Sequence, residues 1–406
     1  LPEIERMTLA RIQLKKDQER RLLAGHDWVY SNEIETQATP LKPLEPGQPV
    51  EVFSKRGRWL GYGYANPHSL IAVRMTSREP EHPLSASVFA ERIHRALALR
   101  EGLYVTPFYR LVHGEGDALP GVIVDRYGDL LVAQISTAGM ERERGNLLTA
   151  LEQVVRPRRI LLRNDIEARA HEGLEQGVEW VLGEDPGEIE LSESGLRFRV
   201  SPQHGQKTGW FFDQAENRRL LHRLATPGPA PGRVLDCCCY LGAWGLQALA
   251  TGARSLTCID SAASALGALR ANAELNGLQE RVSTIQADAF EGLRTLRDEG
   301  ARFEMVILDP PAFIKRRRDL AEGQRAYQRL NRLGLEVLER GGLLLTSSCS
   351  FHMHRDAFVQ SVQQGARRAG RRLQLILSGS QGPDHPIHPA IPETGYLKTL
   401  VLRAMD

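Results

Sequence analysis

No apolar run in this chain approaches the ~18 residues that a membrane span requires. The first residues are also too polar for a secretory signal, so the expected setting is cytoplasmic and no membrane partner is expected. Cysteine is scarce, five in 406 residues and three of them consecutive, at Cys237-Cys-Cys239. That excludes a disulfide framework and fits a reducing compartment. Adjacent thiols are also poor zinc spacing, so no metal is expected. Large net charge is missing too, at only +2, yet arginine clusters at Arg20-Arg21, Arg156-Pro-Arg-Arg159, Arg316-Arg-Arg318, Arg367-Arg368 and Arg371-Arg372. Local basic patches on a nearly neutral chain are compatible with a polyanionic partner. Neither G-x-G-x-x-G nor G-x-x-x-x-G-K-[ST] occurs, which argues against a dinucleotide or nucleoside triphosphate as first choice.

What is present divides into segments. Hydrophobic residues at 42% and charged residues at 25% are those of a globular protein, and the length implies two or three domains. Residues 8–78 read as a compact β-rich domain, with strands at Arg11–Leu14, Val50–Phe53, Trp59–Tyr64 and Ile71–Met75. Trp28, Trp59, Tyr62 and Tyr64 are expected in its core. Residues 79–195 read as α+β. Ser87–Glu101 is an amphipathic helix with Arg92, Arg95 and Arg100 facing outward, Tyr109–Gly121 an ordered loop, and Val122–Asp125, Leu130–Ile135 and Ile160–Leu162 strands. Residues 196–206 read as a linking hairpin. From 207 to 406 strands and helices alternate, with a long helix expected at Arg325–Arg340. Alternating apolar strands and helices imply an α/β, doubly wound, mostly parallel sheet.

The stretch Arg233–Leu246 organises that last domain. A short apolar strand ends in Asp236, turns through Gly242 and enters a helix. Open α/β sheets hold nucleotide-like ligands at such a junction. An acidic strand end followed by a loose glycine loop suits S-adenosylmethionine, which has an amino-acid moiety and no phosphates. Asp260 follows at about the 20-residue offset at which an acid meets ribose hydroxyls. Asp288 and Asp309 end two further strands. Strand C-termini in a parallel sheet share one edge, so the four carboxylates are expected along one crevice.

Asp309-Pro-Pro-Ala-Phe313 is a stiff loop whose two prolines remove N–H donors and leave carbonyls and a carboxylate to face a planar substrate. Arg316–Arg318 follows it directly. Cys349 ends the next strand in a serine-rich loop. Cytosine C5 has no lone pair with which to take a methyl group. A thiolate adding at C6 makes C5 enamine-like, and an acid near N3 stabilises the adduct. Cysteine as nucleophile with aspartate as proton partner is the pairing that this reaction needs.

At these residues the chain resembles a known family, the S-adenosylmethionine-dependent 23S ribosomal RNA cytosine-5 methyltransferases that carry an N-terminal PUA domain. The resemblance covers nearly the whole length. Arg20–Ile34 and Gly61–Ser69 resemble its RNA-binding PUA domain, and Gly116–Tyr127 its central domain. Lys207–Gln214 is similar to the segment leading into its catalytic domain. His385–Pro392 and Tyr396-Leu-Lys398 resemble its C-terminal signature.

The resemblance implies that Thr208, Phe212, Asp213, Asp236, Cys239, Tyr240, Gly242, Asp260, Ser261, Asp288, Ala289 and Asp309 hold S-adenosylmethionine. Asp260 would take the ribose, and Asp288 with Ala289 the adenine. Cys349 would be the nucleophile, Asp309 its catalytic partner and large-subunit ribosomal RNA the substrate. The cofactor loop departs from the more usual Asp-Leu-Phe-Cys-Tyr-Thr-Gly-Gly-Phe at Cys237, Cys238, Leu241, Ala243 and Trp244. Rival readings are an N-methyltransferase acting on guanine or adenine and a non-catalytic RNA-binding assembly factor. Oligomeric state is left open, a homodimer among the options.

Overall fold

The computed structural model describes residues 9–80, 84–225 and 232–405. The Pro227–Gly232 turn cluster and the Glu79–Pro83 punctuation therefore lie partly outside the described residues. The chain forms two compact units. One comprises Leu1–Gly187, Pro202–Trp210 and Pro383–Thr394, the other Glu188–Ser201, Phe211–Gly382 and Gly395–Asp406.

The first unit opens with a five-stranded sheet. β1 (Ala10–Gln13), β2 (Trp28–Tyr30), β3 (Gln48–Phe53), β4 (Trp59–Ala65) and β5 (Ile71–Ser77) are ordered β1-β3-β4-β5-β2. The short helix α1 (Glu19–Leu23) buries Leu22 in the same core as Ile12, Val50, Val52 and Val73. Of the four aromatics expected in the core, only Tyr64 is buried; Trp28, Trp59 and Tyr62 are half-exposed. Each keeps its polar atom on a partner near the surface: Trp28 donates to Glu115, Trp59 to Glu51 and Tyr62 to the Pro80 carbonyl. Tyr64 donates its hydroxyl to the Pro120 carbonyl at 3.0 Å. Its ring lies against Gly139, where a Cβ would come within 2.0 Å of Cγ, so no larger residue fits.

A second five-stranded sheet follows. After α2 (Ala86–Leu103) come β6 (Phe108–His113), β7 (Val122–Tyr127), β8 (Leu130–Ile135), α3 (Ala138–Arg142), α4 (Arg144–Val155), β9 (Arg159–Arg163), α5 (Glu167–His171) and β10 (Val178–Leu182). Their order is β10-β9-β8-β7-β6, with only β8 and β9 parallel. Two expectations are corrected here. The 109–121 loop begins as an edge strand, β6. Arg100, expected outside, has no exposed surface. It forms a bidentate pair with Asp117 (2.6 and 2.7 Å) and donates to the backbone carbonyls of Arg110 and Asp384. A guanidinium can be buried only when its N–H fork is met in this way. Arg110 and Asp125 form a second buried fork at 2.8 and 2.9 Å.

The second unit begins with the hairpin β11 (Ile189–Glu193) and β12 (Leu196–Val200), earlier than the 196–206 expected. Buried Glu193 ties it to α6 (Ala215–Ala225) through Arg218, at 2.5 and 2.6 Å, and also accepts from Gln247. The main sheet comprises β13 (Arg233–Cys237), β14 (Ser255–Asp260), β15 (Val282–Gln286), β16 (Phe303–Leu308), β17 (Leu338–Ser348), β18 (Leu373–Gly379) and β19 (Lys398–Ala404). Helices α7 (Ala243–Ala250), α8 (Ala263–Leu275), α9 (Ala289–Asp298), α10 (Leu320–Glu336) and α11 (Arg355–Arg368) alternate with these strands. The seven strands are ordered β15-β14-β13-β16-β17-β19-β18, and β19 alone runs antiparallel to its neighbours. Parallel strands buried on both faces need continuous apolar runs, and Val234, Leu235, Val306, Ile307 and Leu308 supply them. The α10 helix ends at Glu336 rather than at Arg340, because β17 already begins at Leu338 and pairs with Phe303.

Candidate active site

Register puts the predicted carboxylates on one sheet edge. Cys237, ending β13, pairs with Ile259 on one side and Leu308 on the other. Asp260 therefore closes β14, and Asp309 follows β16, at the same C-terminal level. Asp236 is fully buried at the end of β13, and its Oδ2 accepts from the Gly245 N–H at 2.9 Å. Its Oδ1 is buried with no hydrogen-bond partner among the described residues. Burial pushes its pKa well above the usual carboxylate range, and the neighbouring Asp309 and Asp260 charges add to this.

The loop from Cys238 to Gly242 is bent by left-handed residues, Cys238 at φ 61° and Tyr240 at φ 48°. Backbone N–H groups secure it: Cys238 donates to the Ile259 carbonyl, and Tyr240 donates to Oδ2 of Asp260 at 3.0 Å. Oδ1 of Asp260 accepts from Ala262. Gly242, at φ 83°, starts α7 where a Cβ would lie 2.8 Å from Leu269 Cγ. This close, strained turn is the reason for glycine here. Cys239 is buried, and its contact with the Cys258 thiol and burial both raise its pKa. Its thiol anchors the loop against Cys258 of β14.

Asp309 is clamped from two sides. Gln214 Nε2 donates to Oδ1 at 2.8 Å and Trp244 Nε1 to Oδ2 at 2.9 Å. Asn217 Nδ2, at 2.7 Å, fixes the Gln214 amide by donating to its Oε1. Burial raises the Asp309 pKa to about 6, with the Asp213 charge adding and the two clamping donors opposing. Asp213, itself buried, accepts from the Tyr396 hydroxyl at 2.7 Å. Phe212 is buried in the same short 3-10 turn, and Phe211 meets Tyr240 edge to face at 5.4 Å.

Cys349 follows β17, the strand parallel to β16, and so lies on the same edge. Its Sγ is 3.9 Å from the Pro310 carbonyl oxygen, on the Asp309-Pro-Pro loop, and is partly exposed. The serines around it do structural work: Ser350 Oγ accepts from the Ile314 N–H and bonds the Tyr327 hydroxyl at 3.0 Å.

Other predicted residues stand differently. Asp288 is exposed and caps α9, accepting from Phe290 at 2.9 Å and from Glu291. Ala289 opens that helix, and Ser261 is exposed just beyond β14. Thr208 falls in the first unit, where its hydroxyl donates to Asp125 at 2.5 Å. Sequence reasoning missed the clamping roles of Gln214 and Trp244, and the buried Lys398 beside Cys349. Trp244 carried a signal, since its indole replaces a phenylalanine in the resembled motif.

Three acids on one edge, one of them fully buried with an orphaned oxygen, fit a cationic ligand. S-adenosylmethionine, with an ammonium and a sulfonium, matches that charge. The sheet order, the acid-lined edge and the glycine turn define a Rossmann-like methyltransferase.

The comparisons agree. A family described as S-adenosylmethionine-dependent methyltransferase matches residues 110–403, and one described as PUA-like domain matches 12–78. "Ribosomal RNA large subunit methyltransferase I" of Shewanella denitrificans is 39% identical over 398 residues, 97% of this chain and 99% of that protein. Its namesake from Klebsiella pneumoniae is 35% identical, covering 97% and 98%. The chain belongs to the ribosomal RNA large subunit methyltransferase I family. A Streptococcus mutans structure assigned as a SAM-dependent methyltransferase shares the fold at TM-score 0.81 and 21% identity, covering 97% of this chain and all of that one. A second methyltransferase structure, solved in complex with SAH, reaches 0.83 at 21% identity, with the same coverage.

Proposed function

We propose that this protein methylates C5 of a cytosine in large-subunit ribosomal RNA, in the cytoplasm, through a covalent bond between Cys349 and C6 of the base. The observation that carries the reading is the partly exposed Cys349 thiol, 3.9 Å from the Pro310 carbonyl of the Asp309-Pro-Pro loop. A nitrogen nucleophile would need no thiol there. The names of the full-length relatives support the ribosomal substrate.

S-adenosylmethionine, when bound, supplies the methyl group, and Asp236, Asp260 and the Cys238–Gly242 loop would hold it. The Cys349 thiolate forms a bond to C6, and the C5–C6 π pair moves to C5, the carbon to be methylated. Asp309, poised near pH 6 by burial, gives and takes the proton at N3 as the ring loses and regains aromaticity. Once C5 carries the methyl group, its proton passes to solvent, which restores the C5–C6 double bond and expels the thiolate. The Pro310 carbonyl faces the thiol and can accept from the exocyclic amine.

The target base must leave its stack to reach this edge. Lys315, Arg316, Arg317 and Arg318, all exposed directly after the Asp309-Pro-Pro loop, are placed to meet the flanking phosphates. Nucleoside mass spectrometry of ribosomal RNA from cells lacking the protein tests the reading. One 5-methylcytidine missing from large-subunit RNA is expected; a missing N-methylated purine would contradict it.

A further inference from the structure

We propose that Lys398 is a positioning residue for the nucleophile: its buried ammonium is the counter-ion that holds Cys349 as a thiolate. The inference takes its purpose from the cytosine-5 reading, but its test does not require that reading to hold.

Lys398 opens β19 and lies opposite Ser348, the last residue of β17, in antiparallel register. Its backbone is thus one residue from Cys349 across the strand pair. The residue is only 9% exposed. Nζ donates to the Ser350 carbonyl at 2.6 Å and to the Tyr396 carbonyl at 2.7 Å. Both acceptors are neutral, and they leave one N–H of the ammonium over. Among the described residues no carboxylate pairs with it. A buried lysine without an acid is costly, and such groups ordinarily lose their proton. Burial indeed lowers its pKa to about 8, and the charge opposing that fall comes from Cys349. The thiolate is therefore the missing anion of a buried pair.

Several other titratable groups of the described residues lie near the thiol in the fold or in the sequence. Tyr327, on α10, is held neutral because burial, with the Cys349 charge adding, raises its pKa. Asp309, one residue before Pro310, is acidic. His352, half-buried, and the exposed His354 and Arg355 follow Cys349 in the sequence. Lys398 is the cation fixed by two backbone carbonyls, one of them on the residue after the nucleophile. If it served only to tie β19 to the 349–351 loop, the chemistry of the thiol would not depend on its charge.

The test is the pH dependence of Cys349 alkylation by iodoacetamide in the full-length protein, without RNA, read by mass spectrometry of the Cys349 peptide. The wild-type profile is expected below the ~8.5 of a free cysteine. In Lys398→Met it should rise by about one unit, cutting alkylation at pH 7 about tenfold. Lys398→Arg should restore most of the rate. An unchanged profile in a folded Lys398→Met protein overturns the proposal. Should that variant not fold, a wild-type thiol titrating at or above ~8.5 overturns it equally. If instead Cys349→Ala still yields 5-methylcytidine, the cytosine-5 mechanism falls while the alkylation profile still decides the role of Lys398.

Discussion

The indole N–H of Trp244 donates to Oδ2 of Asp309 at 2.9 Å. With Gln214 on the other oxygen, this leaves the carboxylate one orientation and opposes the rise in pKa that burial imposes. Removing a hydrogen bond to a charged group costs about 1.5–3 kcal/mol, or about one to two pKa units. In Trp244→Phe the limb of the activity profile near pH 6 should therefore move upward by about a unit, with the ring's packing kept. An unmoved limb would show that the clamp does not tune Asp309. The same raised pKa has a stability consequence. The native state binds this proton more tightly than the unfolded chain, so its stabilising contribution is present below ~3.9 and is lost as pH rises through about 6. Asp309→Asn should accordingly gain stability relative to wild type between pH 4 and pH 7, measured by denaturant unfolding at each pH.

Asp236 offers a buried oxygen with no hydrogen-bond partner among the described residues. Asp236→Asn keeps an acceptor for the Gly245 N–H but puts an N–H donor where the orphaned oxygen stands. Calorimetry should then find S-adenosylmethionine binding weakened about tenfold to a hundredfold, the range of ~1–3 kcal/mol for a buried polar group that loses its match. RNA binding should be spared. Unchanged cofactor affinity would remove Asp236 from the site.

The Arg110–Asp125 fork is buried on both sides, with 10% and 0% side-chain exposure. Arg110→Met leaves Asp125 a buried charge without its guanidinium, still met by the Thr208 hydroxyl, and should destabilise the protein by about 3–5 kcal/mol. Thermal unfolding followed by circular dichroism checks this. Activity lost without any fall in stability would point to a different role for the pair.

Replacing Arg316, Arg317 and Arg318 together with alanine should weaken RNA binding uniformly across sequences. The slope of log affinity against log salt should fall by about 0.7 per lost contact to single-stranded RNA. Filter binding at three salt concentrations is sufficient. A change confined to kcat would place these arginines elsewhere in the reaction.

The sheet and its acid-lined edge were legible because parallel strands share a C-terminal level, so four strand-ending aspartates could be aligned without coordinates. Two of them then diverge: Asp236 is buried with an orphaned oxygen, while Asp288 is an exposed helix cap. Strand position gives level, not burial. Gln214 lies within the Lys207–Gln214 segment and Lys398 within the Tyr396-Leu-Lys398 signature, and nothing local marks out either. Their partners lie far away in sequence, and pattern carries no information about which distant side chains meet. Arg100 failed for a related reason. Helical periodicity placed it outside, but Asp117 and two backbone carbonyls met its fork and drew it in. The excursion of Pro383–Thr394 into the first unit was also not legible. It depends on Asp384 accepting from the Arg110 N–H, a tertiary contact with no local signature.

The proposed mechanism turns on a carbon–sulfur bond between Cys349 and the target base. RNA carrying 5-fluorocytidine tests it most directly, because fluorine at C5 cannot leave as a proton and the adduct cannot resolve. With S-adenosylmethionine present, a protein–RNA species that survives denaturing electrophoresis should form, its cross-linked peptide should contain Cys349, and Cys349→Ala should abolish it. Absence of that species with the wild-type protein, under conditions where it methylates unmodified RNA, would contradict the account.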